Sequence, residues 1–341
     1  MTESTEAPAV STHRWWHVLV LALLALLAWI FVDVTGLLEV LGEVRLAPLL
    51  LLIVLGLLDR FLMAAKWSQL LAAVGVHLPL GAALSAYFQA SFVNRIVPTT
   101  LGGDLVRGVR ASTRDTREHV VASMVMEKVI GVLGAVALAA AGAVMLVPEL
   151  HARGWGWAVW IIAAAGVLSL AALVVSLSDT VVRRRLRPLS RLLKRPGLAR
   201  VAGRLHDAYR DYRKCPSALV IHFLLTVLEQ IVQVAVVYVC ARAVGAETPA
   251  LALLAVIAVS ELFRKVAWML EGWGLGELAR ILFLTLVAME THRAVAIAIL
   301  YHAVAWVVAL PGAVLFVINR RGRRSAPASA RSRGDPPSDP A

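Results

Sequence analysis

The sequence predicts an all-α polytopic membrane protein, and three observations carry that prediction. Hydrophobic residues make up 60% of the 341 residues and charged residues only 16%, against roughly 25% charged residues in ordinary soluble domains. The apolar residues are gathered in runs of about 20, the length of helix that crosses a bilayer core of about 30 Å. Basic residues are concentrated between and after these runs. These features predict about eight transmembrane helices, with one or two re-entrant or broken elements.

The apolar runs place the predicted elements along the chain. The expected spans are 16–33, 46–65, 119–147, 156–177, 217–241, 249–263, 277–290 and 294–318. The seventh is short and fits a half-helix. Residues 82–98 contain several polar side chains and end at Pro98, just before two glycines. Because irregular backbone inside a membrane must be surrounded by protein or a wet cavity, this segment is predicted to be re-entrant.

The distribution of Lys and Arg predicts the orientation. Twelve basic residues lie from Arg183 to Lys214, and four more, Arg320, Arg321, Arg323 and Arg324, follow directly after the last span. Short loops rich in Lys and Arg stay in the cytoplasm, so the loop 178–216 and both termini are expected inside. An even number of crossings is then required. The protein is expected to be a multi-pass protein of the cell membrane.

The chain is expected to have one membrane domain, 15–318, between two cytoplasmic tails. Residues 1–14 precede the first span, and 319–341, rich in Pro, Ser and Ala, lack the apolar content to fold. The net charge of +12 could suit nucleic acid. The basic residues lie beside spans, however, where anionic headgroups are nearer. Membrane lipids are therefore the expected partner, nucleic acid is not, and a homo-oligomer is one option.

A glycine-rich interruption follows the re-entrant segment. Its candidate site residues are Asn94, Arg95, Gly102, Gly103, Asp104 and Arg107. Successive glycines allow close backbone approach, and a helix that starts there directs free amides at an anion. Arginines add paired donors for phosphate. A phospholipid headgroup site explains the pattern, and so does a tight cytoplasmic turn with ordinary positive-inside arginines.

A second interruption, residues 272–280, repeats part of this pattern. Its candidate site residues are Gly272, Gly274, Glu277 and Arg280. Residues 103–107 and 276–280 both read glycine, acid, leucine, small apolar residue, arginine. Transporters often build a midplane site from corresponding broken helices of two repeats. An internal pseudo-repeat is one interpretation of this match, and chance is the other.

Polar residues inside the apolar runs are further candidates. Glu229 and Gln233 share a helix face in the middle of a predicted span. A charge there is costly unless it is paired, neutral or facing water. They are therefore expected either to line a cavity or to bond to a neighbouring helix. Glu127 lies nearer a cytoplasmic end, and the isolated His222 and His302 are expected to pack or hydrogen-bond.

The sequence contains no recognisable catalytic constellation. There is no phosphate-binding loop of the Walker type and no His, Cys or Glu spacing typical of a metal site, so neither a cofactor nor a metal is predicted. An intramembrane enzyme remains a rival, because Asp104, Glu127, Glu229, Glu277 and the two histidines, His222 and His302, could converge on a lipid phosphate. A non-transporting membrane scaffold is the third class.

The motifs resemble those of a known family. The resemblance rests on Asn94-Arg95-x-x-Pro98-x-x-x-Gly102-Gly103-Asp104-x-x-Arg107, on Lys66-Trp67, on Glu127-Lys128 and on Gly272-x-Gly274-x-x-Glu277. Over residues 15–318 the chain resembles the flippase-like integral membrane family that includes the transmembrane region of lysylphosphatidylglycerol synthases. Two departures stand out: Gly276 replaces the family's usual arginine before the motif glutamate, and the proline usual ahead of the glycines is absent.

The resemblance implies a lipid-flippase fold of two related halves around a cavity. Family members also occur fused to an aminoacyl-transfer domain, which would need a couple of hundred further residues, so lipid aminoacylation is not expected here. The expected function is translocation of an anionic phospholipid or a polyprenyl-phosphate-linked lipid, not enzymatic catalysis. Arg95, Arg107 and the glycine pair are expected to bind the headgroup, Glu277 and Arg280 to complete the site, and Glu229 to line the cavity.

Overall fold

The computed structural model describes residues 34–96, 100–113, 115–145, 147–152, 207–269 and 275–325, with isolated positions between 154 and 204. Within these residues the chain is helical. The helices are α1 Val34–Gly42, α2 Leu46–Ala73, α3 Leu80–Ile96, α4 Thr100–Ala111, α5 Arg117–Met145, α6 Val147–Ala152, α7 Pro216–Ala243, α8 Ala250–Met269, α9 Leu275–Leu286 and α10 Thr291–Ser325, with a 3-10 turn at Asp211–Lys214. The all-α prediction is confirmed.

Four of these helices are long and apolar enough to cross a membrane. They cover Leu46–Ala73, Arg117–Met145, Pro216–Ala243 and Thr291–Ile318, and they confirm the predicted second, third, fifth and eighth spans. The predicted span 16–33 and most of 156–177 lie outside the described residues, as do the tail 1–14, most of the loop 178–216 and residues 326–341. Helix α10 runs to Ser325, so the predicted C-terminal tail begins with helical residues.

The count of eight spans is not supported by the described helices. Predicted span 277–290 corresponds to α9, which has 12 residues and reaches only about 18 Å at 1.5 Å per residue. Predicted span 249–263 is the shorter apolar stretch Ala250–Phe263 of α8. Helices α8 and α9 pack against each other, as α3 and α4 do. Each pair is therefore a helical hairpin, and the predicted re-entrant segment 82–98 is the first arm of one.

The same order of elements occurs twice. Helices α2 and α7 both have 28 residues, and their first residues, Leu46 and Pro216, lie 170 positions apart. Each ends in Ala-Val-Gly, and the glycines, Gly75 and Gly245, have positive φ angles of 80° and 70°. A helical hairpin with a 12-residue second arm follows in each half, and then a long apolar helix. This repeated order supports the internal repeat that the sequence suggested.

The two halves run in opposite directions. The Cys215 thiol, just before α7, lies 3.2 Å from the Ala73 carbonyl at the end of α2, so these two helices are antiparallel. At the other end of the bundle, Arg293 near the start of α10 donates to the carbonyls of Val244 and Gly245 after α7, at 2.9 and 2.6 Å. Corresponding helices are thus inverted, which is the arrangement of inverted-topology transporter repeats.

Close packing joins the first hairpin to the last helix. A Cβ atom at Gly312 of α10 would collide with the backbone carbonyl of Phe88 in α3. A Cβ atom at Gly56 of α2 would lie 2.7 Å from a methyl group of Val308 in α10. These glycines allow α10 of the second half to lie against α2 and α3 of the first half, so the two halves meet over a tight contact.

Candidate functional site

Ionisable residues are buried where α2 meets α7. The Lys66 ammonium lies 3.0 Å from the Glu229 carboxylate, and their side chains are 3% and 5% exposed. One turn along α7, the Gln233 amide donates to the Asp59 carboxylate at 2.6 Å. Asp59 is also paired with Arg60 at 2.6 Å. Because burying a charge is costly unless it is partnered, these pairs explain how the apolar helices hold charged groups.

Asp59 and Glu229 are related by the repeat. They lie 170 positions apart, the same spacing as the first residues of α2 and α7. Each carboxylate is reached by a side chain of the opposite half, Gln233 for Asp59 and Lys66 for Glu229. Glu229 and Gln233 thus belong to an inter-half network, which extends to α10 through the Tyr301 hydroxyl, 3.2 Å from the Gln233 amide oxygen.

Arg107 of the first interruption is enclosed. Its guanidinium lies 2.5 Å from the Glu127 carboxylate and stacks over the rings of Trp67 and Tyr87, with centroids 4.4 and 4.1 Å away. The Tyr87 hydroxyl donates to the same carboxylate at 2.5 Å. The two rings cover both faces of the guanidinium, and Glu127 accepts from one of its nitrogens, while the buried Nε has no hydrogen-bond partner. In this conformation Arg107 fixes α4 against α2, α3 and α5.

Arg280 of the second interruption is held in the same way. It lies 2.9 Å from the Glu261 carboxylate, with both side chains 1% exposed, and its guanidinium stacks 4.2 Å from the Tyr301 ring centroid. The acids that precede the two arginines also correspond. Asp104 pairs with Lys128 on α5, and Glu277 pairs with His302 on α10 at 2.9 Å. The matching five-residue runs therefore make contacts of the same kind in the two halves, although Glu127 lies on α5, after its hairpin, and Glu261 lies on α8, the first arm of its own hairpin.

The two interruptions meet at His302. Its Nδ1 lies 3.4 Å from Nη1 of Arg95, at the end of α3, while its Nε2 faces Glu277 near the start of α9. One residue before Arg95, the Asn94 amide oxygen accepts the Gly103 backbone N–H at 2.7 Å, which ties α4 to the end of α3. The imidazole thus lies between the first hairpin and the second.

These residues form part of a half-exposed polar surface. Arg60 donates to Ser91 Oγ at 3.0 Å, and Ser91 is one helical turn before Arg95 on α3. The exposed fractions are 24% for Arg60, 24% for Glu277 and 33% for His302. We call Arg60, Ser91, Arg95, Glu277 and His302 the junction cluster. Unlike the pairs around Arg107 and Arg280, it is accessible from outside the protein.

The residues predicted from sequence are therefore distributed over several places. Arg95 and Glu277 lie in the junction cluster, with Asn94 and Gly103 supporting it. Asp104, Arg107 and Glu127 lie together around α4, Arg280 lies with Glu261, and Glu229 and Gln233 lie at the α2–α7 contact. Gly102 is in the first turn of α4, and Gly272 and Gly274 are outside the described residues.

Sequence reasoning missed several members of these networks. Asp59 and Arg60 interrupt an apolar run. Asp59 lies 170 residues before Glu229, which is the spacing of the repeat, and this spacing could have identified Asp59 as a candidate. His302 was expected mainly to pack or hydrogen-bond, and it was named as a possible phosphate-facing group only for the rival enzyme. A single histidine in an apolar helix has no local signal, because its partners Arg95 and Glu277 come from other elements. Among the described residues, no group of three or more His, Cys, Asp or Glu side chains is placed to hold a metal.

A separate polar contact joins the start of α5 to the 3-10 turn that precedes α7. His119 Nε2 is 3.3 Å from Asp211 in the 3-10 turn, and Lys214 lies 2.6 Å from the same carboxyl. The hydrogen bond from Lys214 lowers the pKa of Asp211, and the bond to His119 adds to this effect. Because these groups are partly exposed, the contact is expected to contribute little to stability.

Comparison with known proteins identifies the family. The family described as the lysylphosphatidylglycerol synthase TM region matches residues 15–312, which include both inverted halves as far as Gly312 in α10. No curated protein and no solved structure matches the chain. The resemblance found in the sequence motifs is confirmed by this match. The chain belongs to the family of lysylphosphatidylglycerol synthase transmembrane regions.

Proposed function

We propose that this protein translocates an anionic lipid, a phospholipid or a polyprenyl-phosphate-linked lipid, across the cell membrane. Family membership supports a lipid-related function in a membrane. The observation that carries the transport proposal is the junction cluster, a half-exposed group of charged residues formed by both inverted halves. Charged groups inside apolar helices are costly and mark substrate or ion pathways.

The chemistry of the cluster suits a phosphate-bearing headgroup. Arg60 and Arg95 both present guanidinium groups, whose planar forks match the oxygens of a phosphate. His302 adds a third nitrogen donor when it is protonated. Exposed apolar side chains on the surrounding helices, among them Phe61 and Leu282, give the acyl chains an apolar surface. The headgroup would bind in the cluster while the chains remain in the bilayer.

The inverted repeat supports a mechanism for movement. In transporters built from inverted repeats, one half rocks against the other around a site at their interface, so that the site opens first to one side and then to the other. Here the paired arginines Arg107 and Arg280 attach each short helix to its own half. Each half would then move as a unit, with the junction cluster between them.

We propose six crossings and two re-entrant hairpins. Spans 16–33 and 156–177 join the four long helices, and the hairpins α3–α4 and α8–α9 enter from opposite sides. With the basic loop 178–216 inside, both termini lie in the cytoplasm, the first hairpin enters from the cytoplasm and the second from outside. This topology satisfies the even number of crossings with fewer spans than the hydropathy pattern suggests.

Reconstitution with Arg95→Ala tests the proposal. A charge-assisted bond to a phosphate contributes about 1.5–3 kcal/mol, so we expect translocation of an anionic lipid to fall about ten- to a hundredfold at subsaturating lipid. Arg95→Lys should rescue only partly, because it replaces the planar fork with a point charge. The assay measures transfer of fluorescent phosphatidylglycerol between leaflets of proteoliposomes, normalised to reconstituted protein.

Arg117→Ala is the matched control. Arg117 is exposed at the start of α5, where it acts as an ordinary basic residue beside a span, and its variant should keep the wild-type rate. A wild-type rate for Arg95→Ala would contradict the headgroup role. Chemical conversion of the lipid by the wild-type protein would favour the enzyme, and neither movement nor conversion would favour the scaffold.

A further inference from the structure

The tautomer of His302 is determined by its two neighbours. Nδ1 lies 3.4 Å from Nη1 of Arg95, and Nε2 lies 2.9 Å from the Glu277 carboxylate. A guanidinium has only donors, so Nδ1 must accept from Arg95. A carboxylate has only acceptors, so Nε2 must carry the hydrogen that bonds Glu277. Both nitrogens of the imidazole are therefore engaged in this arrangement.

We infer that the protein couples lipid movement to the uptake of a proton. His302 takes up this proton at Nδ1 when an anionic headgroup replaces the imidazole as the acceptor for Arg95. The inference rests on the proposed translocation and adds its coupling ion. In the step, a hydronium ion transfers its proton to Nδ1, so that one O–H bond breaks, one N–H bond forms and a water molecule is left. The hydrogen bond from Arg95 moves from the imidazole to a phosphate oxygen, and no other covalent bond changes.

The two binding events favour each other for a geometric reason. A proton on Nδ1 would place an N–H bond and a positive charge against the Arg95 guanidinium, so that contact is lost and Arg95 turns to another acceptor. A phosphate at Arg95 removes the donor from Nδ1 and supplies an acceptor for a proton there. By linkage, each ligand raises the affinity for the other. The proton also offsets one negative charge of the headgroup, which lowers the cost of its passage through the bilayer.

The charged groups around His302 are otherwise paired. From α9, Glu277 bonds Nε2 and Arg280 pairs with Glu261, while Arg280 also stacks on the neighbouring Tyr301. From α3 the facing group is Arg95. The charged groups of α2 and α7 near Tyr301 also have partners. Asp59 is bonded to Arg60 and Gln233, and Glu229 is paired with Lys66. On α1, Glu39 is exposed. Imidazole is the side chain whose unperturbed charge changes near neutral pH, and the His302 side chain is 33% exposed.

The test measures translocation of fluorescent phosphatidylglycerol in phosphatidylcholine proteoliposomes with and without a pH gradient. We expect wild-type transport from the acidic side to exceed transport from the alkaline side by up to about tenfold per pH unit, the limit for one proton. His302→Gln can accept from Arg95 and donate to Glu277 but cannot take up the proton. It should move lipid at a rate that is independent of the gradient.

His292→Gln is the matched histidine control. His292 pairs with the exposed Glu290 at the start of α10, far along the helix from His302. This variant should keep the wild-type dependence on the gradient. Wild-type transport that ignores the gradient, or a His302→Gln variant that keeps the dependence, would overturn the proton inference alone. Absence of lipid movement in the wild-type protein at every pH would overturn the proposed translocation and the inference with it.

A second measurement covers the case in which His302→Gln does not fold or does not transport. Detergent-solubilised wild-type protein in weak buffer at pH 7 should take up protons when phosphatidylglycerol is added, approaching one per bound lipid. His292→Gln should behave alike, and neutral diacylglycerol should produce no uptake. Lipid binding without proton uptake would overturn the inference.

Discussion

Two buried arginines, Arg107 and Arg280, have the same role in the two halves. Each pairs with a glutamate, Glu127 or Glu261, and each stacks on aromatic rings. Burial of an ion pair gives little net stability, whereas removal of one partner leaves the other charge buried. The arginines therefore fix the position of the short helices α4 and α9.

Arg107→Ala should destabilise the protein more than it weakens lipid binding. The substitution removes the ion-pair partner of Glu127, and breaking a buried pair in this way costs about 3–5 kcal/mol. The double variant Arg107→Met with Glu127→Gln removes both charges and should recover most of that stability. Thermal unfolding of the purified variants measures the effect, with Lys214→Ala, whose side chain is 79% exposed, as the control.

This prediction separates two roles for Arg107. A headgroup ligand would leave thermal stability near that of the wild-type protein and lower only the affinity for lipid. A double variant no more stable than Arg107→Ala would likewise contradict the account, because the cost would then not come from the unpaired carboxylate.

At the scale of elements, the contact between α3 and α10 joins the halves. It depends on Gly312, where any side chain would meet the backbone carbonyl of Phe88, which cannot turn away as a side chain can. The same contact brings Arg95 of α3 to His302 of α10. The geometry of the junction cluster therefore depends on how closely these two helices approach.

Gly312→Ala should lower both stability and translocation. Overpacking of a close contact costs about 1–3 kcal/mol, and α10 must shift away from α3 to accommodate the methyl group. Gly81→Ala is the matched control, because Gly81 is also helical but has no atom within 4 Å of an added Cβ. Gly81→Ala should be neutral or slightly stabilising, since alanine favours helix more than glycine does. Equal unfolding temperatures for the two variants would contradict this description of the contact.

At the scale of the whole molecule, the sequence predicts the long apolar helices but not how they pair. The predicted span 46–65 ended before Lys66, although α2 continues to Ala73, because Lys66 looked like the end of an apolar run. In the fold its charge is buried against Glu229, 163 residues away. Likewise 249–263 was expected to cross the membrane, and 277–290 was counted among the eight spans although its length fits a half-helix, because hydropathy does not distinguish a crossing from an arm of a hairpin.

The candidate site was predicted only in part for the same physical reason. Asn94, Arg95 and Glu277 stand in recognisable motifs and lie at or beside the junction cluster. Arg107 stands in the same motif, but its environment is set by Trp67 and Tyr87 from other helices. His302 has no motif of its own. Residue type and spacing predicted where polar groups occur, and tertiary pairing decides which of them remain accessible.

The inverted repeat predicts that equivalent loops lie on opposite sides of the membrane. His77 and Glu247 are exposed, occupy equivalent positions 170 residues apart, and connect a long helix to a hairpin in each half. In intact cells, a cysteine at position 247 should react with an impermeant thiol reagent and one at position 77 should react only after permeabilisation. Labelling of both from the same side would contradict the inversion.

Comparison of two lipids with identical acyl chains tests the central claim most directly, because only the headgroup charge differs. In proteoliposomes of the wild-type protein, fluorescent phosphatidylglycerol should move between leaflets at least about tenfold faster than fluorescent phosphatidylcholine, the factor that corresponds to about 1.4 kcal/mol of headgroup recognition. Arg95→Ala should remove most of that difference. Equal rates for the two lipids, or no movement of either, would contradict an anionic headgroup site at the junction of the two halves.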